Sequence, residues 1–146
     1  MDWSWWWVLG LRVLGVVLAV EGAAHALLPR VLGWTPDTAR ADGRLTWLVV
    51  RLHVGFIGAF LVLIGLSTAI GAADLVAGGA LAATFAGASA VLFAARWLLE
   101  WIAVPRALRA MSASRWWWRA HWFAALFGWP VVTASYLGTA IIAAGH

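Results

Sequence analysis

Four long apolar runs, separated by shorter polar segments, dominate the pattern of hydrophobic and polar positions along the chain. A helix needs about 20 apolar residues to cross the hydrocarbon core of a bilayer. Because main-chain polar groups inside lipid must be satisfied within their own segment, each run is predicted to be a helix. The chain is therefore predicted to be an all-α membrane protein, a single domain over residues 1–146 folded as a four-transmembrane-helix bundle. The predicted spans are residues 5–28, 45–70, 75–101 and 117–142.

The three connections differ in length and chemistry. The four residues "GAAD" between the second and third spans predict a tight turn with Asp74 at its polar tip. The first connection contains Pro29, Pro36 and Gly43, which favour a structured loop. The third, "VPRALRAMSASR", is basic and is predicted to be helical along the membrane surface.

Short strings recur in the two halves of the chain. The string "ALLPRVL" ends the first span and "IAVPRAL" ends the third, while "RLHVGF" opens the second span and "RAHWFA" opens the fourth. Both halves would cross the membrane and return in the same direction. The repeat predicts two parallel helical hairpins related by pseudo-two-fold symmetry about an axis along the membrane normal.

Composition and charge place the chain in a membrane and orient it there. Hydrophobic residues make up 64% of the chain and charged residues 11%, which is typical of an integral membrane protein. The arginines cluster around the first and third connections, so the positive-inside rule predicts these in the cytoplasm and both termini outside the cell inner (plasma) membrane. Arginines placed between spans do not form a nucleic-acid patch, and the 13 tryptophans mostly suit interfacial belts. With no cysteine, disulfides and thiolate chemistry are excluded.

Ionisable residues occur in the cytoplasmic half of every predicted span. Glu21 is too short to reach the interface easily, and ionisable groups at such depth are commonly functional. His25 lies one helical turn after it. We expect a polar layer to which all four helices contribute: Glu21, His25, Arg51, His53, Arg96, Glu100, Arg119 and His121.

Candidate roles follow from side-chain chemistry. Glu and His side chains exchange protons, and arginines hold anionic or carbonyl groups. Arg51 is expected to point inward, because it heads a mostly small-residue stripe of Gly55, Gly58, Val62, Gly65 and Ala69. Glu100 is expected to pair with Arg96 four residues earlier. Pro130 is expected to kink the fourth span and to free the carbonyl of Leu126. The candidate catalytic residues are Glu21, His25 and His121, and the candidate substrate-binding residues are Arg51, His53, Arg96 and Trp129.

Four functions are compatible with this layer. The favoured one is a membrane enzyme or binding protein for an amphipathic lipid or isoprenoid-like molecule. A haem or metal site is disfavoured by the arginines in the same layer, so no cofactor is predicted. A small proton-coupled transporter using Glu21 is the third, although the layer is net basic. The fourth is an accessory subunit of a larger membrane complex, and the small-residue stripes also favour a homo-oligomer.

The first half of the chain resembles a known family. The run from "HALLPRVLGW" through a short loop into "RLHVGFIGAFLVLIGL" is similar to DoxX-like four-helix membrane proteins, which show Pro and Gly after span one and an Arg-led, glycine-rich span two. The resemblance covers residues 13–66. It implies a four-helix bundle and no particular chemistry.

Overall fold

Helices account for the regular secondary structure of the described part of the chain. The computed structural model describes residues 3–28, 44–102, 105, 109 and 115–145. The elements are α1 (Trp3–Ala24), a 3₁₀ turn (His25–Leu27), α2 (Arg44–Ala77), α3 (Ala80–Ile102), α4 (Arg115–Phe123), a π-helical segment (Ala124–Gly128) and α5 (Trp129–Ala144).

Four stretches of these helices are long and apolar enough to cross a membrane, which confirms the predicted all-α class. They are Trp3–Leu27, Arg51–Ala77, Ala80–Ile102 and Trp118–Ala144. The chain divides into two compact units, Met1–Ala72 and Ala73–His146. The predictions of one domain and of pseudo-two-fold symmetry between the halves stay predictions. The first connection and most of the third lie outside the described residues.

In the first unit, glycines bring the backbones of α1 and α2 into direct contact. A Cβ built on Gly15 would lie 2.5 Å from the carbonyl oxygen of Gly65, and one on Gly22 would lie 2.6 Å from that of Gly58. The pairing runs antiparallel, because the later glycine of α1 meets the earlier glycine of α2. The small-residue stripe predicted on the second span is confirmed at Gly58 and Gly65, whereas Gly55 contacts nothing within 4 Å.

The turn between the second and third spans is not where the sequence pattern placed it. Helix α2 continues through the string "GAAD" and ends at Ala77, so the prediction of a turn there was wrong. The chain reverses at Gly78 and Gly79, whose φ angles are +91° and +101°. Only glycine adopts such angles without steric cost, so this pair is the local signal for the turn. Gly79 also donates its N–H to the carbonyl of Ala143 over 3.0 Å.

In the second unit, α3 packs along α5 through small and aromatic side chains. Ala82, Ala86 and Ala90, which follow each other at four-residue spacing on α3, are buried. Phe93 stacks on Tyr136, with ring centroids 5.4 Å apart, and both side chains are fully enclosed. These contacts fix α3 and α5 side by side and position the polar side chains near the end of α3.

A π-helical segment, rather than a simple proline kink, joins α4 to α5. Within it the N–H of Trp129 bonds to the carbonyl of Ala124, five residues earlier. At the same spacing the Ala125 carbonyl would accept from residue 130, which is a proline without an N–H. The indole Nε1 of Trp97 on α3 donates to this carbonyl instead, over 2.8 Å. The supported carbonyl is therefore that of Ala125, whereas an α-helical register had predicted Leu126.

Candidate functional site

A buried carboxylate and a buried imidazole meet where the end of α3 lies against α4. The Oε1 of Glu100 is 2.8 Å from the Nδ1 of His121. Both residues are only 4% exposed. Since an ionised carboxylate can only accept, the imidazole donates from Nδ1, which leaves Nε2 to accept or donate a proton. A carboxylate that orients a histidine in this way is a common arrangement for proton transfer.

Arg96 completes this cluster from one turn earlier on α3. Its Nη1 forms an ion pair with the Oε2 of Glu100, as the i, i+4 spacing predicts. The side chain of Arg96 is 41% exposed, so part of it remains accessible from outside the cluster. The guanidinium carbon also lies 4.7 Å from the ring centroid of Trp129, which is a cation–π distance.

Tryptophan rings surround the imidazole of His121. The ring of Trp122 lies 4.9 Å from it and that of Trp118 lies 6.2 Å away, edge-on. Trp101 from α3 packs edge-on against Trp122. Trp122 is itself exposed, so one side chain that covers the imidazole lies at the molecular surface. The Glu100–His121 pair thus lies in an apolar and aromatic surrounding, where its electrostatic interaction is weakly screened.

Apart from the Oε2 of Glu100, which is ion-paired with Arg96, three buried side-chain polar atoms in the described part of the chain have no hydrogen-bond partner. They are the Nε2 of His121, the Nε1 of Trp129 and the Oγ1 of Thr133. An unsatisfied buried polar group costs about 1–3 kcal/mol. Buried groups left in this state are candidates for ligand contacts.

Two of the candidate catalytic residues, Glu21 and His25, belong to the first unit. The imidazole of His25 donates from Nδ1 to the main-chain carbonyl of Glu21 over 2.9 Å. A Cβ built on Gly58 would lie 2.9 Å from the Cβ of His25, so the histidine packs directly against the backbone of α2 at this glycine. Both residues are half-buried. The bond observed between them therefore uses the main chain of Glu21.

Arg51 and His53 lie on one exposed surface of α2. They line an open depression together with Leu52, Gly55 and Phe56. The expectation that Arg51 points inward is wrong, because its side chain is exposed. It lies two helical turns before Gly58, the glycine paired with Gly22, and so beyond the tight contact with α1.

Sequence reasoning thus found most of the second-unit cluster but not its central residue. It selected Arg96, His121 and Trp129 as site residues, which the fold brings together, and placed Glu100 in the polar layer as the partner of Arg96. Glu100 and His121 were both expected in the polar layer, but the contact between them was not, because periodicity along one helix does not show which residues of a neighbouring helix it faces. The predicted layer of all four helices stays a prediction. No group of three or more His, Cys, Asp or Glu side chains in the described ranges is arranged to hold a metal ion.

Comparison with known proteins adds no family: no family model, curated protein or solved structure matches this chain. The class of this protein therefore follows from its own structure. Its four long apolar helices are those of a small polytopic membrane protein.

Proposed function

We propose that the protein binds an amphipathic molecule with an anionic headgroup and exchanges a proton with it through His121. The observation that carries this proposal is the 2.8 Å bond between Glu100 and the Nδ1 of His121, made by two buried side chains. A structural ion pair would need only Arg96 and Glu100. The histidine adds a titratable atom, Nε2, that the described fold leaves without a partner.

Each side chain has a distinct part in this scheme. Glu100 is a positioning residue that holds the imidazole with its proton on Nδ1. The Nε2 of His121 accepts the proton released when the neutral acid form of the headgroup ionises beside Arg96, and returns it when the acid leaves, so that no net charge accumulates. The partly exposed guanidinium of Arg96 holds the anionic group by charge-assisted hydrogen bonds. Trp122 covers the imidazole from the molecular surface.

The location of the cluster suits a molecule with a polar head and an apolar tail. Glu100 lies two residues from the end of α3, and His121 lies near the start of the fourth membrane-spanning stretch. The positive-inside rule assigns this end of the spans to the cytoplasmic face of the plasma membrane. A headgroup at Arg96 would then sit at the interface while its tail extends between apolar helices. The DoxX-like kinship remains part of this proposal and adds no chemistry to it.

Ligand binding tests the headgroup contact. The protein is purified in a mild detergent, and native mass spectrometry measures the binding of stearate and of stearyl alcohol, which share a tail but differ in charge. We expect the wild type to prefer stearate and Arg96→Gln to lose that preference. Arg12→Gln, which removes an exposed arginine from α1, is the matched control and should retain it. Equal binding of the two probes, or a preference that survives Arg96→Gln, overturns the proposal.

The proton step has its own readout. Nitrogen chemical shifts of the histidine side chains distinguish the protonation states of Nδ1 and Nε2. We expect stearate to shift the His121 signals in the wild type and to leave them unchanged in Glu100→Gln, because the neutral amide holds the imidazole less strongly. Asp74→Asn removes an exposed carboxylate from the end of α2 and should behave as the wild type. A His121 response that is the same in all three proteins contradicts the role of Glu100.

A further inference from the structure

The indole of Trp129 presents a buried donor in the apolar part of the fourth span. Trp129 is 7% exposed, and its Nε1 has no hydrogen-bond partner among the described residues. The ring is held firmly, because it stacks on Phe93 with centroids 6.1 Å apart and carries the guanidinium of Arg96 at 4.7 Å. These two contacts restrict rotation of the ring towards another acceptor. Indole nitrogen only donates, so whatever satisfies it must supply an acceptor atom.

A second buried polar atom lies one turn further along α5. Hydroxyl side chains in membrane helices commonly bond to the carbonyl four residues earlier. Thr68, Ser135 and Thr139 all do so, each over 2.8 Å. Thr133 does not, and within the described part of the chain its buried Oγ1 has no partner. Residues four apart share a helix face, so the Thr133 hydroxyl lies on the same side of α5 as the Trp129 indole.

We infer that Trp129 and Thr133 form an oxygen-binding subsite for the apolar part of the ligand, and that the ligand carries an uncharged carbonyl oxygen a few carbons from its anionic headgroup. The inference rests on the proposed function, since it names the ligand class for the same site. Trp129 Nε1 donates to the carbonyl, and the Thr133 hydroxyl is the second contact. A cation or a pure hydrocarbon tail would leave the indole donor unsatisfied.

The spacing between headgroup and carbonyl follows from the cation–π contact. Arg96 lies directly over the ring whose Nε1 is the donor, so both polar contacts lie within the dimensions of one indole. A carboxylate at Arg96 therefore places the next few carbons of the chain at Trp129. The Thr133 side chain starts one helical turn on, about 6 Å along the axis of α5, so its hydroxyl is within reach of the same carbonyl oxygen. A long-chain acid with a keto group a few carbons from its carboxylate meets all these conditions.

A matched pair of probes tests this subsite. Native mass spectrometry in mild detergent compares stearate with stearate that carries a keto group a few carbons from its carboxylate. We expect the wild type to bind the oxo acid about fivefold more tightly, the gain typical of one added hydrogen bond. Trp129→Phe keeps an aromatic ring but removes the N–H, and it should abolish the preference. Thr133→Val should reduce it, whereas Ser135→Ala, whose hydroxyl bonds to its own helix, should not.

A measurement on the wild-type protein tests the subsite without depending on whether a variant folds. Proton–nitrogen spectra report the indole N–H signals of the 13 tryptophans. We expect one of these signals to move downfield on adding the oxo acid and to stay in place with stearate. If stearate binds but the oxo acid has no advantage and moves no indole signal, the subsite is wrong and the proposed function stands. If neither acid binds the wild type, both are wrong.

Discussion

The indole Nε1 of Trp97 donates to the main-chain carbonyl of Ala125 over 2.8 Å, and this bond links α3 to the π-helical segment of the fourth span. Pro130 cannot supply the donor that this carbonyl would otherwise receive at the five-residue spacing of the segment. A side chain on one helix thus completes the hydrogen bonding of another. Irregular backbone is tolerated at membrane depth when neighbouring groups satisfy it in this way.

Replacing Trp97 by Phe tests this link. The variant keeps a large aromatic ring but leaves the Ala125 carbonyl without its indole donor, so we expect a loss of about 1–3 kcal/mol in the free energy of unfolding. The measurement is reversible unfolding in mixed detergent micelles. In a Pro130→Ala background the main-chain N–H returns, and the same replacement should cost clearly less. Costs that simply add in the double variant would contradict the proposed exchange of donors.

The glycine contact between α1 and α2 predicts a strong dependence on side-chain size. Gly22→Ala would place a methyl group 2.6 Å from the Gly58 carbonyl oxygen, so the helices must separate. We expect a destabilisation of about 2 kcal/mol in the same unfolding assay, the usual scale of overpacking. Gly10→Ala on the same helix meets nothing within 4 Å and should be neutral or slightly stabilising. Equal effects of the two substitutions would refute the close contact.

The turn at Gly78 and Gly79 predicts a cost that comes from backbone conformation alone. A Cβ on Gly79 meets nothing within 4 Å, yet its φ is +101°. We therefore expect Gly79→Ala to lower the unfolding free energy by about 1–2 kcal/mol through backbone strain. Gly71→Ala, which has equal space within helix α2, is the control and should not lower it. A neutral Gly79→Ala variant would show that the left-handed turn is not required.

The arginine distribution predicts the orientation of the chain in the membrane. Since there is no native cysteine, single cysteines report their side of the membrane directly. We expect Asp74→Cys to react with a membrane-impermeant maleimide in intact cells. Arg109→Cys, in the third connection, should react only after the membrane is opened. The reverse pattern would place the termini in the cytoplasm and the Glu100–His121 pair at the outer face of the membrane.

Much of the candidate site was accessible from the sequence because its residues are chemically conspicuous. Arg96, His121 and Trp129 stand out in apolar spans, and the fold brings all three into one cluster. The partner of His121 was not accessible in this way. Helical periodicity relates residues on one helix, and so it paired Glu100 with Arg96 but carried no information about the facing helix. Arg51 was misplaced for a related reason, since its stripe of small residues packs only where α1 faces it.

The sequence by itself determined the class of this protein: four apolar runs of membrane length, each obliged by lipid to be helical, with arginines grouped at alternate connections. The Gly78–Gly79 pair also signals the turn in the sequence, although the turn was predicted a few residues earlier, at "GAAD", because of the polar Asp74. Tertiary structure alone decided that Glu100 contacts both His121 and Arg96. It also decided that Trp97 donates to the Ala125 carbonyl, to which Pro130 has no N–H to donate. Trp129 and Thr133 likewise keep polar atoms without a partner among the described residues only because of how the helices pack. The physical reason is that these contacts depend on how neighbouring helices align along and around their axes. That alignment is set by the packing of small and aromatic side chains, which hydrophobic periodicity does not encode.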